Sequence, residues 1–96
     1  MTYVILGSFT DQGMRNIKQL PNLRQAAEQF VAAKGGRVVA NYTTLGAYDF
    51  VFIAEFSSDE AALEGAFLFG NRGDVRTHTM RAFAPQDAEN VARRIP

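Results

Sequence analysis

Four residues carry most of the chemistry open to this sequence: Tyr48, Asp49, His78 and Arg81. Tyr48 and Asp49 stand in Gly46-Ala47-Tyr48-Asp49, where the phenol can donate and the carboxylate can accept, or act as a base, at the rim of a pocket. The same segment fits a structural role. A tight hairpin needs positive φ, which glycine supplies without strain, and an aspartate opening the next strand accepts from turn amides. Arg81, within Met80-Arg81-Ala82-Phe83, could hold a ligand carboxylate bidentately or simply pair with an acid. Asp49 and Glu55 are the partners closest to hand, reached diagonally or across a subunit boundary. His78 shares a strand face with Arg76 and Met80. An imidazole there is suited to general-base work, although a lone strand histidine is more often exposed or hydrogen-bonded.

Other patterns fail. Gly70-Asn71-Arg72-Gly73 lacks the Lys-Ser/Thr of a phosphate loop and follows a helical segment, so it reads as a turn. No serine stands in a Gly-x-Ser-x-Gly setting. Asp59, Glu60 and Glu64 are oxygen donors, but acids at a helix start ordinarily favour its dipole and face water. One histidine and no cysteine exclude thiolate and multi-histidine metal sites, disulfides and a thiol nucleophile. Ten Lys and Arg balance ten Asp and Glu, which removes the basic footprint of a nucleic-acid binder. No apolar run reaches the roughly 20 residues that span a bilayer, and no basic leader precedes a signal core. These features predict a cytoplasmic protein with no cofactor, no metal, no nucleic acid and no membrane among its partners.

These residues must be positioned by a small scaffold. The 96 residues fit one domain, and a chain of that size has a thin core that a partner subunit would help. Residues 2–9 are β-branched and aromatic and read as a strand. Thr10-Asp11 reads as a helix start, weakened by Gly13 and interrupted at Pro21. The main helix is predicted over Pro21 to Lys34, with Gly35-Gly36 as its stop. Arg37 to Leu45 and Tyr48 to Phe56 read as a hairpin joined tightly at Gly46-Ala47. Ser57 and Glu60 have capping-box spacing, so a second helix starts there, with Leu63, Ala66, Phe67 and Phe69 expected along its inner side. Asp74 to Phe83 is the fourth strand, and Pro85 opens a terminal helix with Ala88, Val91, Ala92 and Ile95 on one side. The order predicts an α+β ferredoxin-like βαββαβ sandwich: a four-stranded antiparallel sheet, helices on one face and a C-terminal helix.

The other face has no lid. Its strands do not alternate apolar with polar residues as a half-wet sheet would: Tyr3 and Ile5 oppose Val4 and Leu6, and Phe50, Phe52 and Phe56 oppose Val51 and Ile53. Each large apolar side chain kept from water is worth about 1.5–3 kcal/mol, so several left open would cost a marginal domain most of its stability. A homodimer packed through the sheet face is the expected remedy. A tail helix folded under the sheet is the competing one.

Tyr3-Val4-Ile5-Leu6 with Phe9-Thr10-Asp11-Gln12-Gly13, the segment Leu45-Gly46-Ala47-Tyr48-Asp49-Phe50, the helix start Ser58-Asp59-Glu60-Ala61-Ala62 and the strand Val75 to Phe83 follow one another in an order and spacing that resembles the GYD-domain family. The resemblance covers nearly the whole chain. Its signature maps to Gly46, Tyr48 and Asp49, with Ala47 as a spacer, while His78 departs from the small residue expected there. Members are small, largely bacterial and archaeal proteins of uncharacterised function, and their fold is similar to that of the dimeric α/β barrel superfamily. The resemblance therefore implies a barrel shared between two subunits. Superfamily relatives include cofactor-independent monooxygenases, lactone isomerases and haem enzymes, with pockets often lying between sheet and helices, and fold alone does not choose among them.

The expected function is a homodimeric domain that binds a small apolar molecule between sheet and helices, with Tyr48, Asp49, His78 and Arg81 as candidate ligand-binding residues. The alternative is a cofactor-independent monooxygenase or isomerase in which Asp49 or His78 abstracts a proton beside a carbonyl and Arg81 stabilises the enolate. Assembly through sheet edges with no ligand is a third.

Overall fold

The computed structural model describes residues 1–96. Strand β1 (Thr2–Phe9) leads into a short helix α1 (Asp11–Arg15), a 3-10 turn (Ile17–Gln19) and helix α2 (Leu20–Ala33). Strands β2 (Arg37–Thr43) and β3 (Phe50–Glu55) follow, then helix α3 (Asp59–Arg72), strand β4 (Val75–Ala82) and helix α4 (Pro85–Ala92). The sheet is antiparallel, four-stranded and ordered β2-β3-β1-β4. This is the expected ferredoxin-like α+β arrangement, with β1 lying between β3 and β4.

Local chemistry sets the element ends. The Thr10 hydroxyl accepts the Gly13 N–H at 3.1 Å and starts α1. Gly13 is needed for more than its backbone freedom: a Cβ there would lie 2.0 Å from the Asp74 carbonyl oxygen, so only glycine lets α1 approach the turn before β4. Lys34 closes α2, and Gly35 leaves it at φ 72°. The N-cap of α3 is Ser58, not Ser57; its hydroxyl accepts the Ala61 N–H at 3.2 Å, so the helix begins one residue later than capping-box spacing predicts.

The core lies between the sheet and helices α2 and α3. Tyr3, Phe52, Ala54 and Phe56 supply the sheet side, Val31 comes from α2, and Ala61 and Ala62 come from α3. Phe30 meets Phe56 and Phe69 edge-on, with ring centroids 6.2 and 6.1 Å away. A Cβ on Gly65 would sit 3.0 Å from the Phe30 ring, so α3 approaches α2 through small residues. The inner side of α3 therefore differs from the expected stripe. Leu63 and Phe67 are 52% and 68% exposed, whereas Ala61, Ala62 and Phe69 face inward.

Two further differences bear on function. The β2–β3 hairpin is joined by residues 44–49, a longer loop than a two-residue turn, with Gly46 at φ 117°. A β-bulge between Val38 and Ala40 reverses the alternation of β2. Val38 pairs with Ala54 on the helix side, Ala40 pairs with Ile53 on the open side, and Asn41 and Thr43 then return to the helix side opposite Phe52 and Phe50.

Helix α4 does not cover the open sheet face. Every residue from Phe83 to Pro96 is exposed, so the tail helix is not the lid that the competing expectation required. No helix is long and apolar enough to cross a membrane.

Candidate functional site

The register of the sheet builds a floor beneath the helices from two crosswise rows. One runs Asn41, Phe52, Ile5, Thr79; the next runs Thr43, Phe50, Gly7, Thr77. Each row is polar at the sheet edges and apolar in the middle. The Phe50 ring lies directly over Gly7, where a Cβ would fall 1.9 Å from its Cζ, so the absent side chain of Gly7 makes room for the ring. Phe9 tilts against Phe50 at 5.8 Å. Helices α2 and α3 roof this floor with Leu23, Ala27, Phe30, Ala66 and Phe69 over a partly open cavity of about 120 Å³, whose polar border at Arg24, Asn41, Thr43 and Thr79 is exposed. Fourteen of its twenty lining residues are hydrophobic, and Arg24 is the one charged residue among them.

None of the four residues singled out by type lines this cavity, and they do not converge. Asp49 belongs to the loop before β3. Its Oδ2 accepts the Phe9 N–H at 2.8 Å, and its own backbone bonds to Gly7 and Thr44, also at 2.8 Å. The Thr44 hydroxyl donates to the Tyr48 carbonyl at 2.7 Å, tightening the same loop. This matches the structural role, with the difference that the amide capped by Asp49 belongs to a neighbouring strand instead of the turn.

Tyr48 and His78 do come together. Their rings meet edge-to-face at 5.7 Å, and His78 lies in β4 on the same face as Leu6, its partner across the ladder. That is the uncovered side of the sheet, away from the cavity. There, one row runs Met80, Val4, Ile53, Ala40 and the next His78, Leu6, Val51, Tyr42. Arg37 and Glu55 form an ion pair at one end of this face.

Arg81 is on the helix side, in the row of Val38, Ala54 and Tyr3. Its guanidinium lies 5.7 Å from the Tyr3 ring and 4.8 Å from the Phe83 ring, and its Nε is 3.9 Å from Asp59 Oδ1. The Tyr3 hydroxyl donates to the same carboxylate. Asp59, at the start of α3, is thus the acid that Arg81 meets, in place of Asp49 or Glu55. Burial first, and then the bond to Asp59, raise the Tyr3 pKa above its ordinary value. This cluster ties the end of β4 to α3.

Residue type alone missed Arg24, Asn41, Thr43, Thr77 and Thr79, the polar groups of the cavity. The threonines of β4 were legible as one face of a strand, but Asn41 and Thr43 depended on the bulge. No cluster of three or more His, Asp or Glu side chains could hold a metal ion.

The match to known proteins follows the same frame. A family model described as the GYD domain matches residues 3–92, from the β1 core tyrosine to the end of α4. The chain belongs to the GYD-domain family. A relative from Thermus thermophilus, named glutamine synthetase and cystathionine beta-lyase binding protein, is 34% identical over 88 residues, which cover 90% of this chain and 92% of that protein. No solved structure matches the chain significantly. In this GYD domain Gly46, Tyr48 and Asp49 occupy the loop that joins β2 to β3, and Asp49 ties that loop to the end of β1.

Proposed function

We propose that this GYD domain is a cytoplasmic homodimer whose subunits each hold a small, largely apolar molecule between sheet and helices. The supporting observation is the cavity: a phenylalanine-rich interior with a few polar groups at its borders has the make-up of a ligand site. The dimer is supported by the opposite face of the sheet, where Val4, Leu6, Val51 and Ile53 form an apolar centre that no element of this chain covers. Packing two such faces would continue each core into its copy, and an obligate homodimer interface of this kind commonly buries about 2,000 Å² or more in total. Tyr48 and His78 would then lie at the subunit boundary, and Arg81 and Asp49 would serve the scaffold.

Native mass spectrometry of protein purified from its own host tests both parts together. The expected species is two chains carrying additional small-molecule mass. A bare monomer at micromolar concentration would overturn the reading.

Enolate chemistry has less support, because the Asp49 carboxylate is engaged by the Phe9 amide and His78 stands across the sheet from the cavity. A second reading is favoured by the Thermus relative, whose name describes a binding protein for two enzymes. By analogy this chain would dock on an enzyme surface, using the exposed Leu63 and Phe67 of α3 as its apolar contact. Co-elution with purified glutamine synthetase in size-exclusion chromatography, lost in a Leu63→Gln/Phe67→Gln variant, is the expected signature; no co-elution removes that reading.

A further inference from the structure

Resting on the reading of the cavity as a ligand site, we propose that its occupant is an amphipathic monoanion: a small aromatic or short-chain aliphatic acid whose carboxylate meets Arg24 while its apolar body lies among the phenylalanines. The middle of the floor and the roof are hydrocarbon, the neutral polar groups stand at the borders, and the charged lining is a single cation with no acid beside it in the lining. Such a site favours one negative charge at one place and rejects a cation of the same shape.

The position of that charge follows from chain geometry. From Arg24 to Ala33 is nine helical residues, about 14 Å of rise, and from Arg37 to Asn41 along β2 is about 13 Å. Helix α2 and strand β2 are successive and packed together, so Arg24 returns to the level of Asn41 and Thr43 at the sheet edge. A guanidinium, an amide N–H₂ and a hydroxyl are then gathered on one side of the cavity. All are donors, and a carboxylate is the small headgroup that accepts from several at once.

Arg24 is available for this exchange. Its contact within the chain is Glu28, one turn on, with Nε 3.7 Å from the carboxylate and both side chains more than half exposed. That pair is longer than a hydrogen bond, is screened by water and runs in the less favourable order, cation before anion along the helix. Size limits the body. A cavity of about 120 Å³ compares with those that hold roughly one benzene ring.

Three probes with one body and different heads test the assignment: phenylacetate, phenylacetamide and phenethylamine, titrated into the full chain and followed by amide chemical shifts and calorimetry. Phenylacetate is expected to bind at least tenfold tighter than the amide, with the amine weakest, and to shift the Asn41, Thr43 and Thr79 amides. Arg24→Gln, on an exposed helical surface, should weaken the acid at least tenfold and the amide far less, so that the preference for acid over amide collapses. Equal affinity for acid and amide, or indifference of the acid to Arg24→Gln, overturns the monoanion assignment while the cavity reading stands. No shift at the cavity residues with any probe, or shifts confined to the open face at Val4 and Leu6, overturns both.

Discussion

Asp49 Oδ2 accepts the Phe9 N–H at 2.8 Å, so a side chain extends the β1–β3 ladder beyond its last backbone pair, Gly7 with Phe50. The carboxylate stands where a strand carbonyl would otherwise be, and the chain gains a loop without orphaning the half-buried end of β1. Asp49→Ala removes the acceptor and is expected to cost about 1–3 kcal/mol, the usual penalty for leaving a partly buried donor unmet. Asp49→Asn keeps an acceptor oxygen and should recover most of that. Urea unfolding at fixed protein concentration measures both; equal loss in the two variants would show that the charge, not the hydrogen bond, matters.

Gly7 and Phe50 form a lock of a different kind. Because a Cβ on Gly7 would run into the Phe50 ring, Gly7→Ala must push that ring toward the cavity. Overpacking of this sort costs about 1–3 kcal/mol. The variant is expected to unfold earlier and to lose affinity for any ligand held over Phe50, a coupling that a thermal melt with and without ligand would detect. Unaltered ligand stabilisation in Gly7→Ala would place the ligand away from this row.

Tyr3 sets an alkaline limit. Its pKa in the folded chain is raised, first by burial and then by the bond to Asp59, so the folded state favours the neutral phenol more than the unfolded state does. The sign follows: this contribution is fully present below the ordinary tyrosine value near 10 and is lost as pH climbs through the folded-state value. Tyr3 should ionise above the ordinary tyrosine value in an ultraviolet titration, a phase that Tyr3→Phe removes. Tyr3→Phe should be less stable at neutral pH, because it gives up the Asp59 bond, but its stability should fall less steeply above pH ~10. Parallel decline of the two proteins would refute the assignment.

The open face offers a test of pairing. Leu6 lies between His78 and Val51 in the middle of the uncovered sheet, where it would be central to a face-to-face dimer. Leu6→Asp would bury an unpaired carboxylate against its own copy, and such charges are not tolerated in an interface core. Light scattering is expected to show a dimer for the native chain and a monomer for the variant. A dimer in both would move the interface elsewhere.

The strand and helix order, the sheet order and the barren second face could be read from residue types, since Thr10, Gly35, Gly73 and Pro85 punctuate the chain and the strands are apolar on both sides. The cavity's polar border could not. Asn41 and Thr43 lie on the helix side only because the extra residue at the β2 bulge flips the alternation, and a bulge is set by strand pairing, not by local composition. Arg81 was legible as half of an ion pair, yet its partner Asp59 lies 22 positions away on the helix before β4, and only the fold brings it there.

The clearest separation between pattern and packing is in α3. Hydrophobicity alone selects Leu63 and Phe67 for the interior, but the close approach to Phe30 demands the small side of the helix, Ala61, Ala62 and Gly65, and the larger residues are left outside. If they were core residues, truncating them would cost about 2–5 kcal/mol each. Being exposed, Leu63→Gln and Phe67→Gln are expected to change unfolding free energy by no more than about 0.5 kcal/mol. Any effect they have on partner binding can then be read as contact and not as misfolding. A loss of several kcal/mol on urea unfolding would instead mean that α3 turns this face toward a packed surface, of its own chain or of its copy.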